Sequence, residues 1–215
     1  MVEPFADRRA AGRELATRLA DFAGSDDVVV LGLPRGGVPV AYEVARTLGA
    51  PLDMLVVRKL GLPGHEELAM GAIASGGVEV RNESVIASSG VDDETIEAVA
   101  GHERAELERR ERVYRGDRGP VDVAGRTALI VDDGLATGAT MRAAVDALRE
   151  RGAAVIVVAV PIAAPSVCAE MGETVDEVVC LRTPDPFVAI GLWYHDFEPT
   201  SDDEVRALLD DAADG

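Results

Sequence analysis

The strongest constraint on this chain is a series of uninterrupted aliphatic runs. "DDVVVLGLP", "LDMLVVRK", "RTALIVDD", "AAVIVVAVP" and "VDEVVCL" lack the regular polar alternation of a strand with one wet face. Between several of them lie segments with helical apolar spacing, such as "GGVPVAYEVARTLGA", stopped by Gly49, and "MRAAVDALRERG". Strands buried on both faces and separated by helices predict an α/β fold with a doubly wound, mainly parallel sheet. Hydrophobic residues make up 47% of the 215 residues and aromatics only 4%, so Ala, Val and Leu must fill its layers.

Other segments hang on this frame. Phe5, Leu15, Leu19 and Phe22 mark an amphipathic N-terminal helix over 4–22. "AMGAIASGG" and "VEVRN" read as short strands turning at Gly76-Gly77. Residues 92–115 form a charged helix with an acidic start and a basic end. Its pairs Glu106–Arg110, Glu108–Arg112 and Glu111–Arg115 have i,i+4 spacing. The thin apolar stripe predicts a helix that projects from the core or covers it only in part. "DDEVRALLDDA" closes as a helix.

The formal net charge of −18 argues against nonspecific binding to nucleic acid or anionic membranes. Cys168 and Cys180 sit in apolar surroundings without metal-ligand spacing and read as small core residues. No charged-then-apolar leader precedes the first helix, and "AAVIVVAVPIAAP" is too short to span a bilayer. The expectation is a soluble, cytoplasmic protein.

In doubly wound sheets, ligands sit beyond the carboxyl ends of the strands, so the informative loops follow Leu33, Val57 and Val131. The last of these, "DDGLATGAT", runs from a strand into a helix. There Thr137–Thr140 bring backbone N–H groups to a helix N-terminus, Gly138 permits close approach of an anion, and two threonines add hydroxyl donors. Asp132 and Asp133 would repel a bare polyphosphate but suit vicinal hydroxyls one sugar away from a bound monophosphate, with Mg²⁺ able to share the load. An ordinary turn in which both aspartates cap the next helix is the plain alternative. "LPRGGVP" adds the guanidinium fork of Arg35 beside Gly36 and Gly37. Arg58 and Lys59, the latter the only lysine, place two cations at a strand end. One monophosphate site, one diol site and cations for a larger anion together fit 5-phosphoribosyl-1-pyrophosphate (PRPP).

"VDDGLATGAT" resembles the signature of the type I phosphoribosyltransferases, "PRGG" their pyrophosphate loop, and "VVRKLGLPG" the entry to their flexible loop, particularly in adenine-type members. The resemblance covers residues 28–181. "EELAMGAI" and "FVAIGLWYHDF" are similar to a little-defined branch of that family. It implies a single phosphoribosyltransferase domain over 1–215, with a helical insertion at 92–115 and a hood at 182–200. It also implies Mg²⁺-dependent transfer of the 5-phosphoribosyl group to a small nitrogenous acceptor, with release of pyrophosphate. Asp132 and Asp133 would hold the ribose hydroxyls and the metal, and with Lys59 form the catalytic set. Ala136, Thr137, Gly138, Ala139 and Thr140 would hold the 5-phosphate, and Arg35, Gly36, Gly37, Arg58 and Lys59 would face the pyrophosphate.

Ala136 stands where 6-oxopurine enzymes of the family carry an aspartate that acts as base. Hypoxanthine or guanine is therefore disfavoured; adenine-type and orotate-type loops also lack that aspartate, and Glu66, Glu67 or Asp196 could supply a carboxylate from elsewhere. Phe187, Trp193 and Tyr194 in the hood are candidates to stack on the acceptor, Phe187 first among them, with core or interface packing of all three as the equal alternative. The helix at 92–115 is read either as a lid or as a contact in a homodimer. A PRPP sensor without turnover is the rival function. A receiver-like domain is disfavoured, because the aspartate pair follows the mid-chain strand and no lysine follows it.

Overall fold

The five aliphatic runs each contribute a strand to one parallel sheet. In the computed structural model, which describes residues 3–116 and 118–214, the strands in chain order are β1 (Val28–Gly32), β2 (Leu52–Met54), β3 (Val57–Leu62), β4 (His65–Ala74), β5 (Val78–Arg81), β6 (Thr127–Val131), β7 (Val155–Ile162) and β8 (Glu177–Arg182). The helices are α1 (Arg8–Arg18), α2 (Gly37–Leu48), α3 (Glu83–Ser89), α4 (Asp93–Arg115), α5 (Ala139–Glu150), α6 (Pro165–Gly172) and α7 (Asp202–Asp214). The side chains of Glu66 and Glu67 lie outside the described residues.

The main sheet has the order β2-β1-β6-β7-β8, with every pairing parallel. Alternate residues face opposite layers, as the pleat requires. Val28, Val30, Leu129, Val131, Val157 and Ala159 pack under α1 and α2, on Leu15, Leu19, Val40 and Val44. Val29, Leu31, Ile130, Val158 and Val160 face the other way, onto Met141, Val145 and Leu148 of α5 and Met171 of α6. Both faces are dry, which is why no alternation is visible in the sequence. This is the doubly wound α/β sheet expected.

The structure corrects or resolves four expectations. "LDMLVVRK" is not one strand. The chain leaves the main sheet after Met54, and β3 joins β4 and β5 in a separate antiparallel sheet. Buried Ser75 holds the junction, its Oγ accepting the Val56 N–H at 3.0 Å while its own N–H donates to the Val56 carbonyl at 2.9 Å. Leu55 and Val56 are buried on either side of the change in partner, so no polar or turn residue marks it.

Second, of the two arrangements expected for α4, projection and partial cover, the helix adopts partial cover. Its limits match the expected 92–115, with Asp92 capping through the Thr95 N–H at 2.9 Å. Yet Ile96, Ala100, Leu107 and Tyr114 form one buried stripe, and all but Ile96 join a core shared with Leu60 of β3, Ile73 of β4 and Val205 and Leu209 of α7. At its end Arg115 forms a buried fork on Asp53 of β2, with Nε–Oδ1 2.9 Å and Nη2–Oδ2 3.0 Å. The three expected i,i+4 pairs all form. A thin stripe suffices because the small sheet presents a narrow apolar surface.

Third, Cys168 and Cys180 are not separate thiols but a disulfide, joining α6 to β8. The two elements are neighbours only in the folded layer, and a separation of 12 residues announces nothing in the sequence. The N-terminal helix is shorter than its apolar spacing suggested, ending at Arg18 before a 3-10 turn at Ala20–Phe22.

Candidate functional site

β1 and β6 are adjacent, but the chain leaves β1 for β2 on one side and β6 for β7 on the other. This is the topological switch point of the sheet, where the loops beyond the strand ends part and leave a crevice. Leu33 continues the pairing past the strand, its N–H donating to the Val131 carbonyl at 2.9 Å. Beyond it, 34–37 and 132–134 lie against one another.

Two glycines permit that contact. A Cβ on Gly36 would stand 2.0 Å from Asp133 Oδ2, and one on Gly37 would stand 2.7 Å from the Val131 carbonyl oxygen. Gly36 has an ordinary right-handed backbone (φ −63°), so the requirement there is space rather than conformation. Asp132 and Asp133 are thus roofed by bare backbone. The Pro34–Arg35 peptide bond is cis.

The aspartates differ in partners. Asp132 Oδ1 accepts the Asp133 N–H at 2.8 Å. Asp133 Oδ2 accepts from Arg8 Nε at 2.8 Å, and the Asp133 carbonyl accepts the Tyr194 hydroxyl at 2.7 Å. Burial pushes the Asp132 carboxyl well above the usual range, and the neighbouring Asp133 charge pushes it further. Burial raises Asp133 as well, opposed by the hydrogen bond and charge of Arg8. Burial likewise keeps the Tyr194 phenol protonated.

After Gly134 the chain turns into α5. Leu135 is pinned to the next strand, its N–H donating to the Ile162 carbonyl at 2.8 Å and its carbonyl accepting the Ala164 N–H at 2.9 Å. Gly138 takes the left-handed conformation (φ +70°) at the helix N-cap, and Ala136, Thr137 and Thr140 are exposed. The first-turn N–H groups of α5, lacking intrahelical acceptors, point into this loop.

The cations are more dispersed than the sequence implied. Lys59 is exposed and lines a cleft of about 520 Å³ with Ala139 and Arg142 of α5 and Arg81 and Asn82. That cleft borders the start of α5 and does not include the aspartates. Arg58 is engaged by Glu103 of α4 at 2.6 Å. Arg35 is half exposed, 3.6 Å from Asp202 of α7, which also accepts the Tyr114 hydroxyl at 2.9 Å.

The hood is built from both ends of the fold. The Phe5 N–H donates to the Trp193 carbonyl and the His195 N–H to the Phe5 carbonyl, each at 2.8 Å. Tyr194 stacks on Phe197 with centroids 4.9 Å apart and meets Phe5 at a tilt, with centroids 5.5 Å apart. Phe187 and Trp193 are half-buried against this cluster. Asp196 is exposed, its carboxylate accepting the Glu198 N–H at 3.1 Å.

Among the described residues no cluster of three His, Cys, Asp or Glu could hold a metal ion. Asp132 and Asp133 therefore do not form a protein cage. They do fit Mg²⁺ that arrives with its own oxygens, since that ion is commonly held by one or two carboxylates plus substrate phosphates. Among the described residues no helix is long and apolar enough to cross a membrane.

Sequence reasoning missed Arg8, and it took Tyr194 as an aromatic of the acceptor cluster rather than a partner of Asp133; the two lie 125 and 61 residues from that aspartate. A single signal existed for Tyr194, its place in the aromatic cluster of a low-aromatic chain.

Comparison with known proteins agrees with this geometry. The phosphoribosyl transferase domain family matches residues 5–194, from Phe5 to Tyr194 of the hood pairing. Two Mycobacterium tuberculosis proteins, from strains CDC 1551 / Oshkosh and H37Rv, have names that assign them to the phosphoribosyl transferases. They are 52% identical over 208 residues, which is 97% of this chain and 47% of theirs, so the chain spans about half the length of these curated relatives. The crystal structure of TT1426 from Thermus thermophilus superposes with a TM-score of 0.87 at 43% identity, covering 96% of this chain and 97% of that one. The AQ2163 protein of Aquifex aeolicus, at 12% identity and a TM-score of 0.51 over 94% and 85% of the two chains, is alike in fold alone. A family match that begins and ends on the two bridged residues of the hood, around a glycine-roofed aspartate pair at the switch point, places the chain in the phosphoribosyltransferase family.

Proposed function

We infer that the chain transfers the 5-phosphoribosyl group of PRPP to a small nitrogenous acceptor of the nucleobase class, releasing pyrophosphate. The observation that carries this reading is one juxtaposition: paired carboxylates under a glycine-only loop, continuous with a helix N-terminus bearing Thr137 and Thr140. A ribose 5-phosphate has a diol and a monophosphate at that relation.

In this reading Asp132 and Asp133 accept hydrogen bonds from the ribose 2′- and 3′-hydroxyls. The backbone of 136–140, with the two threonine hydroxyls, takes the 5-phosphate. Gly36 and Gly37 let the pyrophosphate approach bare backbone, with Arg35 and Lys59 as its cations. Arg58 would join them only by leaving Glu103. As the bond from the anomeric carbon to the pyrophosphate oxygen breaks, the ring gains positive charge, which the fixed carboxylates stabilise. The acceptor nitrogen forms the new bond with its lone pair and gives up its proton to a base. Mg²⁺, when bound by Asp132 and Asp133 together with substrate oxygens, supplies the charge that neutralises the leaving pyrophosphate. Phe187 and Trp193 flank the acceptor, and a cytoplasmic homodimer is the working form.

The exposed Ala136 favours a second reading, a PRPP sensor, because its methyl group cannot take a proton from an acceptor. Incubation with PRPP, Mg²⁺ and a panel of bases, with pyrophosphate release as the readout, separates the two. Release with one base supports the transferase. Tight Mg²⁺-dependent PRPP binding with no release for any acceptor supports the sensor.

A further inference from the structure

Arg8 is not held like a surface arginine. Its Nε is 2.8 Å from Asp133 Oδ2, its Nη1 donates to the Glu198 carbonyl at 2.7 Å, and its guanidinium lies 3.9 Å from the centroid of the Phe197 ring. Phe197 stacks on Tyr194, and Tyr194 bonds the Asp133 carbonyl, so the contacts close into a ring around one carboxylate. Only 12% of the Arg8 side chain is exposed and 14% of Asp133. The helix that carries it starts one residue earlier at the Asp7 cap, whose carboxylate accepts the Ala10 N–H at 2.6 Å. A Cβ on Gly36 would come within 3.2 Å of Arg8 Nε, so the glycine roof also makes room for this cation.

The charge count at the strand end follows. Two adjacent carboxylates, when both are ionised, carry −2, a charge that attracts a divalent cation. With Arg8 fixed on one of them the cluster carries −1, and one of the oxygens facing the crevice already has a donor.

We propose that Arg8 is a resident counter-ion that denies the Asp132–Asp133 pair to a free divalent cation, so that the metal is admitted only with the oxygens of a phosphorylated sugar. This rests on the reading of the aspartates as the diol and metal site. It makes Arg8 a specificity-determining residue for the order in which ligands enter. A site that loaded metal first would present the metal to any passing phosphate, whereas a site held by arginine needs the diol and pyrophosphate to bring the ion in.

The test uses Mn²⁺ alone as probe, titrated by calorimetry or electron paramagnetic resonance into the full chain without PRPP. The expected result is weak binding to the wild type and about tenfold tighter binding to Arg8→Gln, from loss of one unit charge beside the ion. Arg8→Lys keeps the charge and is expected to bind Mn²⁺ as weakly as the wild type. In the double variant Arg8→Gln with Asp133→Asn the gained affinity disappears. Circular dichroism and thermal melts establish that each variant is folded. Equal Mn²⁺ affinity of folded Arg8→Gln and wild type overturns the proposal, as does a gain that survives Asp133→Asn. PRPP binding by the wild type, measured separately, is the test of the functional reading, so its failure is distinguishable from failure of the counter-ion role.

Discussion

The Tyr194 hydroxyl donates to the backbone carbonyl of Asp133 at 2.7 Å, tying the hood to the carboxyl end of the central strand. The bond acts on the main chain of the aspartate pair rather than on its charge. Tyr194→Phe keeps the stacking on Phe5 and Phe197 but leaves that carbonyl unpaired. The expected loss is about 1 kcal/mol, or about 2–4 °C in melting temperature, with weaker PRPP binding by calorimetry. An unchanged melt and unchanged PRPP affinity would separate the hood from the site.

The glycine roof predicts a contrast between two alanines. Gly36→Ala puts a methyl group onto Asp133 Oδ2, so either the loop or the carboxylate must move, and PRPP binding is lost. Gly49→Ala meets no atom within 4 Å but forces a left-handed alanine at the end of α2 (φ +67°). It should cost about 1 kcal/mol of stability with PRPP affinity intact. Urea unfolding and ligand titration of the two variants check the crossing of effects.

Asp132 predicts a site that opposes the fold. Its folded-state pKa lies above the ordinary 3.8, so the folded chain holds the proton more tightly than the unfolded one. Through this group, stability is greatest below the unfolded value and falls as pH rises through the raised folded value. Asp132→Asn removes the titration, so the variant should melt higher than wild type at neutral pH and lose less stability between acid and neutral pH. It should bind PRPP poorly. Calorimetric melts across that range decide it, and a lower neutral-pH melting temperature for the variant counts against the assignment.

Arg115 is the corresponding structural case away from the site. Asp53 takes both arms of its fork as well as the Val121 and Met54 N–H groups, and Arg115 also donates to the Met54 carbonyl. Arg115→Met leaves a buried carboxylate without its cation, at an expected cost of about 3–5 kcal/mol in urea unfolding. Adding Asp53→Asn should recover part of it, as expected for a pair that acts as a unit.

What the sequence disclosed follows the range of the interactions. The main-sheet strands and the start of α4 were legible because periodicity and caps act within a few residues. Asp92 and Thr95 mark the start of α4 in the chain itself. The break after Met54 was hidden because Leu55 and Val56 stay apolar while exchanging one sheet for another. Arg8, Tyr194 and the Cys168–Cys180 bond were hidden because each depends on segments that meet only after the layers form. Arg8 in particular sits among Arg9, Arg13 and Arg18 of one helix, and nothing local distinguishes it from an arginine turned to solvent.

The pairing of Phe5 with Tyr194 sets an order of events during synthesis. Phe5 and Arg8 are made long before Tyr194 and Asp133, so each waits for its partner. The parallel sheet can begin to assemble once β6 follows β1, but the Tyr194 bond to the Asp133 carbonyl waits for 193–197. Such long-range closure is slow compared with local helix formation. The aspartate pair therefore gains its Tyr194 bond, and Arg8 its Phe197 contact, only after the sheet that carries the pair has been made.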